Sequence, residues 1–288
     1  MEGPIMHKQI VEVDHEKRIM QVTTCDSRWY ARTIKDPVTG LPVWDYVPSV
    51  TWICDKGYPK GIGFFKWLAE KGWDEAEMAK EAAGDRGYKV HAAIAALLNG
   101  ETVNLGCADV KPSEFFNETL GKPEPITLDE YECLMSFVDW FKLAEPEVLE
   151  SEYTVFDEVR RYAGTVDLKC RFNGCYLSDR GKPIAYKRSE KWAVDFKTSQ
   201  EVWPGHRMQV SAYRHADATI ERTAILQLGY RRNARRWKFT EVEDEFPLFL
   251  AAREIWQAEC GDEHPQQRDY PLSLSLGIEK QEASNGAE

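Results

Sequence analysis

Residues 164–172, GTVDLKCRF, and residues 191–199, KWAVDFKTS, carry the pattern that decides the fold of this chain. Both stretches alternate and are rich in β-branched and aromatic side chains, which predicts two strands. Asp195 and Lys197 stand two residues apart, so their side chains project from the same face of the second strand. A neighbouring strand can bring Asp167 beside them. The two stretches therefore predict a site with two carboxylates and one ammonium group.

Helical and extended patterns follow each other along the rest of the chain. Apolar residues at helical spacing predict helices at residues 60–72, 73–100, 128–146, 207–218 and 247–260. Period-two patterns predict further strands at residues 151–156, 222–232 and 235–243, with strands or an irregular arm at residues 8–32. The second helix is expected to break near Gly84–Gly87, because glycine weakens a helix. A loop containing proline is expected at residues 101–127.

This order of elements predicts one mixed α/β domain over residues 1–272, with a central sheet flanked by helices. Residues 1–146 are expected to form a mostly helical N-terminal lobe, and residues 147–272 to carry the sheet. Residues 273–288 are polar and poor in aromatics, which is typical of a disordered tail. Residues 173–183 contain Asn-Gly and Arg-Gly turn signals, so the two decisive strands are expected to form a hairpin with a long loop.

The charge of the chain is unevenly distributed. A net charge of -11 by itself argues against a nucleic-acid partner, because DNA affinity comes largely from Lys and Arg on phosphates. The segment from Arg160 to Thr240, however, holds 18 Lys and Arg against 7 Asp and Glu. Such a segment suits a phosphate-binding surface, although a solvated basic face would give the same counts.

The cysteines and the apolar segments bear on the compartment. Seven cysteines are scattered without a Cys-x-x-Cys pair, which argues against a secreted disulfide framework and against a zinc ribbon. No apolar run reaches the roughly 20 residues of a membrane helix. The N-terminus lacks the basic and apolar stretches of a signal peptide. We therefore expect a cytoplasmic protein with no membrane partner.

The two carboxylates suit a hard divalent cation such as Mg²⁺ or Mn²⁺. Without a cation, carboxylates this close repel, and one of them tends to take up a proton. A bound ion would polarise a phosphoryl oxygen and lower the pKa of a water molecule, while Lys197 would orient or deprotonate that water or hold a phosphate. A lone Asp-x-Lys on a strand is more often an ion pair or a solvated edge, so this hypothesis depends on the accompanying motifs.

Those motifs resemble the RecB-like, phage-type exonuclease branch of the PD-(D/E)xK nuclease superfamily. Residues 164–167, GTVD, resemble the strand that bears the first metal-binding Asp of that family. Residues 194–199, VDFKTS, resemble the second acidic strand with its Lys. Gln209 and Tyr213 match the Q-x-x-x-Y helix, which flanks the site and contacts DNA in the family.

Two further matches lie in the N-terminal half. Residues 86–91, RGYKVH, resemble an RG-x-x-x-H helix whose His binds metal in many members, and residues 48–51, PSVT, resemble a segment common in phage-type members. The chain departs from the wider superfamily by having Asp195 where Glu is more usual. It also lacks the cysteine pattern of the iron–sulfur members, so no iron–sulfur cluster is expected.

The resemblance implies a restriction-endonuclease-like core and a metal-dependent DNA exonuclease that uses one or two Mg²⁺ or Mn²⁺ ions. The implied catalytic residues are Asp167, Asp195, Lys197 and Gln209. The implied metal ligands are His91, Asp167, Asp195 and the backbone carbonyl of Phe196, with Glu152 either a further ligand or an exposed residue at the start of a strand. The expected DNA contacts, some implied by the motifs and others by nearby basic and aromatic residues, are Tyr213, Ser49, Thr51, Arg86, Lys89, Thr198, Trp203, Arg231, Arg232, Arg235 and Arg236.

The setting implied by the resemblance is recombination, repair or phage replication in a bacterial or phage-infected cell. The expected partner is DNA with a free end or a single-stranded region, together with a recombination or replication protein. Three alternatives stay open. They are a structure-specific or restriction-type endonuclease on the same fold, a non-catalytic DNA-binding module, and an unrelated protein with a chance Asp-x-Lys.

Overall fold

The computed structural model describes residues 9–14, 19–24, 27–172, 175–177, 183–185, 189–263 and 265. The first half contains β1 (Gln9–Asp14), β2 (Ile19–Thr23), β3 (Arg28–Lys35), β4 (Pro42–Pro48), α1 (Val50–Gly57), α2 (Ile62–Lys71), α3 (Trp73–Leu98), β5 (Glu114–Asn117), β6 (Lys122–Pro125) and α4 (Leu128–Ala144). The second half contains β7 (Glu147–Asp157), β8 (Tyr162–Arg171), β9 (Cys175–Leu177), β10 (Pro183–Ala185), β11 (Trp192–Lys197), α5 (Pro204–Ala216), β12 (Arg222–Leu228), β13 (Trp237–Val242) and α6 (Phe246–Cys260). The predicted tail at residues 273–288 lies outside the described residues, as does most of the predicted loop at 173–183.

The N-terminal half contains more extended structure than its sequence patterns predict. β1 to β4 form an antiparallel sheet in chain order. The strand alternative for residues 8–32 is therefore confirmed, and β4 adds a strand that the patterns did not predict. β5 and β6 form a hairpin inside residues 101–127, so the prediction of a loop there is wrong. Each of these two strands has only four residues and β6 contains two prolines, which conceals the extended pattern.

Helix α3 runs without interruption from Trp73 to Leu98, so the predicted break at Gly84–Gly87 is wrong. Each glycine costs only about 1 kcal/mol relative to alanine, and the surrounding Ala, Glu and Lys residues are good helix formers. The predicted end of the helix is confirmed, since Asn99 caps it and Gly100 follows with a φ of 84°. The continuous helix carries its C-terminal half onto the central sheet.

The central sheet has five strands in the order β13-β12-β11-β8-β7. β11 and β12 are parallel and are connected through α5, whereas the other neighbours are antiparallel. The predicted pairing of the two decisive strands is confirmed, because Trp192 lies opposite Cys170 and Val194 opposite Leu168. The predicted mixed α/β class is therefore confirmed.

Helices cover both faces of this sheet. Trp140 of α4 and Phe196 of β11 belong to one buried cluster, to which α3 also contributes. Met208 of α5 and Trp256 of α6 belong to a second cluster on the other face, together with α1. Because β11 is buried on both sides, its sequence is an almost continuous apolar run, as expected for a central parallel strand. Asp195 interrupts that run while being only 1% exposed, which requires polar partners for its carboxylate. Among the described residues, no helix is long and apolar enough to cross a membrane.

Candidate metal and catalytic site

The candidate site lies where β8 and β11 separate. Their ladder of paired residues ends at Val194 and Leu168. Beyond that point the backbone N–H of Phe196 donates to Asp167 Oδ2 at 2.6 Å. The Asp167 carboxylate thus takes the place of the backbone carbonyl that would accept this hydrogen bond in a continued ladder. One of its oxygens is held against β11, and the other can make further contacts. The prediction that these two strands bring Asp167 beside β11 is confirmed.

His91 of α3 contacts both strands. Its Nε2 donates to the carbonyl oxygen of Phe196 at 3.0 Å, and its Nδ1 lies 3.3 Å from Asp167 Oδ1. Burial opposes a charge on His91, but the carboxylate of Asp167 outweighs it and raises the pKa of the imidazole to about 9. Burial likewise opposes ionisation of Asp167, yet the charge of His91 holds the pKa of Asp167 below its ordinary value. The two groups therefore form an ion pair between α3 and the inner strands of the sheet. His91 has to release its proton before its imidazole can bind a metal ion.

Glu152 of β7 completes a cluster with these two residues. Its neighbours in the strand pair with Leu168 and Val166, which places Glu152 opposite Asp167. Its backbone has a φ of 48°, a left-handed conformation that a non-glycine residue rarely adopts inside a strand. The residue as a whole is exposed. Its carboxyl group nevertheless faces the crowded site, where burial and then the charge of Asp167 raise its pKa.

Asp195 forms a second set with Lys197, Gln209 and Tyr213. Lys197 Nζ lies 2.6 Å from Asp195 Oδ2, and Gln209 Nε2 donates to Asp195 Oδ1 at 3.0 Å. The contact with Lys197 is a short, largely buried ion pair. The same Gln209 amide donates to the hydroxyl oxygen of Tyr213 at 2.7 Å, so one NH₂ group joins helix to strand.

Electrostatics favour the charged form of Lys197. Burial lowers the pKa of a lysine, but here the charges of Asp195 and Asp167 raise it above its ordinary value. Burial raises the pKa of Asp195, and the charge of Asp167 adds to that effect, while Lys197 opposes both. The site therefore holds two carboxylates near one ammonium group in a largely buried setting.

The donor set fits a hard divalent cation. His91, Glu152 and Asp167 each offer one ligand atom, and these three atoms lie within 4.8 Å of one another. Carboxylate oxygens suit Mg²⁺ and Mn²⁺, whereas an imidazole nitrogen is a more usual ligand of softer ions such as Zn²⁺ and Fe²⁺. No protein-family model matches the chain, and a search of curated proteins finds no similar sequence. The interpretation of this site therefore depends on its residues and distances.

Two predicted DNA contacts are buried and engaged elsewhere. Ser49 is 2% exposed and caps α1, with its Oγ accepting from the N–H of Trp52 at 3.1 Å. Lys89 is 2% exposed, with its Nζ 2.9 Å from Glu130 Oε2 and donating to the carbonyl of Pro125 at 2.8 Å. Neither side chain is free to reach a phosphate, so the predictions for Ser49 and Lys89 are wrong.

Three other predicted contacts lie near the site but have local partners. Arg86 of α3 donates to the carbonyl oxygen of Thr198, just after β11, at 3.2 Å. The hydroxyl of Thr51 lies 3.1 Å from that of Ser49. Arg86 thus ties the His91 helix to the end of the Lys197 strand. A direct DNA contact by Arg86, Thr51 or Thr198 stays a prediction.

Of the remaining predicted contacts, Tyr213 is only 2% exposed and accepts a hydrogen bond inside the site, so it has almost no surface to offer DNA. The others are exposed or half-buried. Trp203, immediately before α5, is 58% exposed and donates its backbone N–H to His206 Nδ1 at 3.4 Å. The four arginines between β12 and β13 all have acidic partners. These pairs are Arg231 with Asp129, Arg232 with Glu201, Arg235 with Asp139 and Arg236 with Glu132. Exposed pairs contribute only about 0–1 kcal/mol, so phosphates can compete for these arginines, and DNA contact there stays a prediction.

Two residues near the site were missed by sequence reasoning. His206 lies one helical turn before Gln209 on α5, and burial together with the charge of Lys197 lowers the pKa of its imidazole to about 3. The i, i+3 spacing of His206 and Gln209 is the signal that could have revealed it. Tyr30 of β3 lies with its hydroxyl 2.9 Å from that of Thr165 on β8, and no local pattern connects two residues so distant in sequence.

Proposed function

We propose that this chain is a divalent-metal-dependent deoxyribonuclease that hydrolyses phosphodiester bonds from DNA ends. One observation carries the proposal. His91, Glu152 and Asp167 offer ligand atoms within 4.8 Å of one another, directly beside the carbonyl oxygen of Phe196. A structural ion pair between His91 and Asp167 would not need a second carboxylate held there in a strained backbone conformation. Such a constellation is suited to metal-assisted phosphoryl chemistry.

The residues divide into holding and positioning roles. His91, Glu152 and Asp167 would hold the ion, with Asp195 and the carbonyl oxygen of Phe196 as the further ligands named by the sequence motifs. Bound there, Mg²⁺ or Mn²⁺ would polarise the phosphoryl group and lower the pKa of a water molecule. The backbone N–H of Phe196 keeps the carboxylate of Asp167 in place.

Lys197 would bind the phosphate or orient the attacking water. Because Asp195 and Asp167 raise its pKa, the side chain is an ammonium group that donates protons in hydrogen bonds. This charge state suits binding of a phosphate or orientation of a water molecule. A bound cation would neutralise the same carboxylates and lower the pKa of Lys197, so the alternative role as a base stays open. Gln209 would keep Asp195 aligned, since its amide joins Asp195 to Tyr213.

The restriction-endonuclease-like core belongs to the same proposal. It is supported by the antiparallel pair β8–β11, which carries the acidic residues where its strands separate, and by the parallel connection from β11 through α5 to β12. The preference for ends, the role in recombination, repair or phage replication and a partner protein from those processes come from the motif resemblance alone. The experiment below separates end-directed from internal cleavage.

The test uses end-labelled linear DNA and closed circular single-stranded DNA. Each substrate is incubated with the wild type and with Lys197→Ala, in Mg²⁺, in Mn²⁺ or in EDTA. Lys142→Ala, at an exposed position of α4, is the matched control for loss of one lysine. We expect metal-dependent loss of the linear DNA alone, with Lys142→Ala at the wild-type rate. Lys197→Ala should be slower by roughly 10²–10³-fold, the usual effect of removing one donor to the developing charge.

Each other outcome has a defined meaning. Cleavage of the circle as well would replace the exonuclease by an endonuclease on the same site. Cleavage by the wild type that persists in EDTA would contradict the assigned metal site. Cleavage by Lys197→Ala at the wild-type rate would contradict it as well. DNA binding without any cleavage would favour a non-catalytic binding module.

A further inference from the structure

Helix α3, the β5–β6 hairpin and the start of β3 meet next to the candidate metal cluster. The aromatic side chain of Tyr88 lies between them. Tyr88 precedes His91 by three residues on α3, so the two side chains occupy the same side of the helix. The ring of Phe116, in the β5–β6 hairpin, packs edge-on against Tyr88 with ring centroids 6.4 Å apart. Tyr88 remains 38% exposed, which leaves part of its ring open to a ligand.

Tyr88 lies one helical turn from His91, which is a member of the cluster. Burial raises the pKa of its phenol, and the carboxylates of Glu118 and Glu152 raise it further, while Arg28 opposes them. Because Tyr88 and His91 share one side of α3, the Tyr88 ring lies on the side of the helix that carries the cluster. The hairpin is anchored to the same helix, since the N–H of Thr119 donates to Asp85 Oδ1 at 3.1 Å. The Tyr88 ring is therefore an aromatic surface that the hairpin holds in place.

A cationic group lies beside the Tyr88 ring. Arg28, at the start of β3, has its Nη2 3.6 Å from Glu118 Oε1 in the turn between β5 and β6. The two side chains are 36% and 33% exposed, and an exposed pair contributes only about 0–1 kcal/mol. A phosphate can therefore displace Glu118 at little cost, and a guanidinium group binds phosphate with two parallel hydrogen bonds.

We propose that Tyr88 and Arg28 form a subsite for one unpaired nucleotide next to the metal cluster. The base stacks on the open part of the Tyr88 ring, and Arg28 binds the adjoining phosphate in place of Glu118. Stacking of this kind favours an unpaired base, because a base inside a duplex is covered on both faces by its neighbours. The inference rests on the proposed nuclease function and adds that its substrate is single-stranded DNA.

The test measures equilibrium binding of a labelled oligothymidylate and of a blunt-ended duplex, with Ca²⁺ replacing Mg²⁺ to suppress cleavage. The variants are Tyr88→Ala, Tyr88→Phe and Arg28→Gln. Trp44→Ala is the matched control, because Trp44 is 44% exposed near the opposite end of the β1–β4 sheet from Arg28. Cleavage of both DNAs by each protein in Mg²⁺ is followed in parallel.

We expect Tyr88→Ala to bind the oligothymidylate on the order of tenfold more weakly, with duplex binding unchanged. Tyr88→Phe should bind like the wild type, because it keeps the ring. Arg28→Gln should bind more weakly and show a smaller dependence on salt, because one phosphate contact is lost. Trp44→Ala should bind normally.

The subsite is refuted if Tyr88→Ala binds single strands like the wild type, if Tyr88→Phe is as weak as Tyr88→Ala, or if both DNAs are affected equally. Those results refute the subsite alone when the wild type still cleaves DNA in Mg²⁺. A wild type that cleaves neither DNA with Mg²⁺ or Mn²⁺ refutes the proposed function itself. The two failures are therefore distinguishable.

Discussion

The aromatic ring of Tyr213 lies directly against the α-carbon of Gly164. A β-carbon built at position 164 would be 2.4 Å from Tyr213 Cε1, a distance at which one of the two must move. Tyr213 in turn accepts the Gln209 hydrogen bond, and the same amide holds Asp195. The glycine of the GTVD segment therefore contributes to the position of a carboxylate on another strand.

Gly164→Ala is expected to displace the Tyr213 ring and, through Gln209, the carboxylate of Asp195. Overpacking should lower the free energy of unfolding by about 1–3 kcal/mol, and the misplaced carboxylate should slow cleavage on the order of a hundredfold. Urea unfolding and the linear-DNA assay measure the two effects. Gly84→Ala is the control, because a β-carbon there meets nothing within 4 Å and should stabilise α3 by about 1 kcal/mol. Wild-type stability and cleavage in Gly164→Ala would contradict this account.

Glu152→Gly is expected to make the protein more stable and less able to bind metal. Glycine adopts the φ of 48° without the steric cost of a side chain, so the free energy of unfolding should rise by about 1 kcal/mol. Glu152→Gln, which keeps the strained backbone but loses the carboxylate, should bind metal weakly without that backbone gain. Urea unfolding and calorimetric titration with Mn²⁺ measure the two properties. Unchanged Mn²⁺ affinity in both variants would remove Glu152 from the metal site.

Lys89→Met is expected to destabilise the fold without a specific effect on DNA. It leaves the carboxylate of Glu130 buried without a cation, which should cost about 3–5 kcal/mol. Lys71→Met, at an exposed pair with Glu75, should change stability by less than about 0.5 kcal/mol. Thermal unfolding and DNA binding at a temperature where each variant is folded separate the two effects. Weak DNA binding by a fully stable Lys89→Met would restore the original DNA-contact prediction.

Asp217 is expected to contribute stability that disappears in acid. Burial opposes its ionisation, but hydrogen bonds from Lys169 and Thr219 lower its pKa to about 2. Because this value is below that of the unfolded chain, the contribution is complete above roughly pH 4 and is lost as the pH falls through about 2. Asp217→Asn should lower the free energy of unfolding by about 1 kcal/mol at neutral pH, a figure reduced for solvent screening. Urea unfolding between pH 7 and pH 2 should show the difference from the wild type shrinking, and a constant difference would contradict this prediction.

Local patterns predicted the elements that carry most of the site. The strands with Asp167 and Asp195 and the helix with Gln209 were correctly placed, because period-two and helical spacing are properties of a few adjacent residues. The hairpin β5–β6 was missed, since two short strands with prolines have little intrinsic preference for a sheet. Its contact with α3 supplies the stability that its own residues do not.

The amino-acid sequence by itself determined that Asp195 and Lys197 share a face and that Asp167 can join them from a paired strand. These properties follow from the alternation of side chains along a strand. Only the tertiary structure decided that Glu152 completes the cluster with His91 and Asp167, and it equally decided that Lys89 is buried against Glu130. Both outcomes depend on distances between residues far apart in the chain. The position of Glu152 also depends on its left-handed backbone conformation. Neither kind of information is present in local spacing.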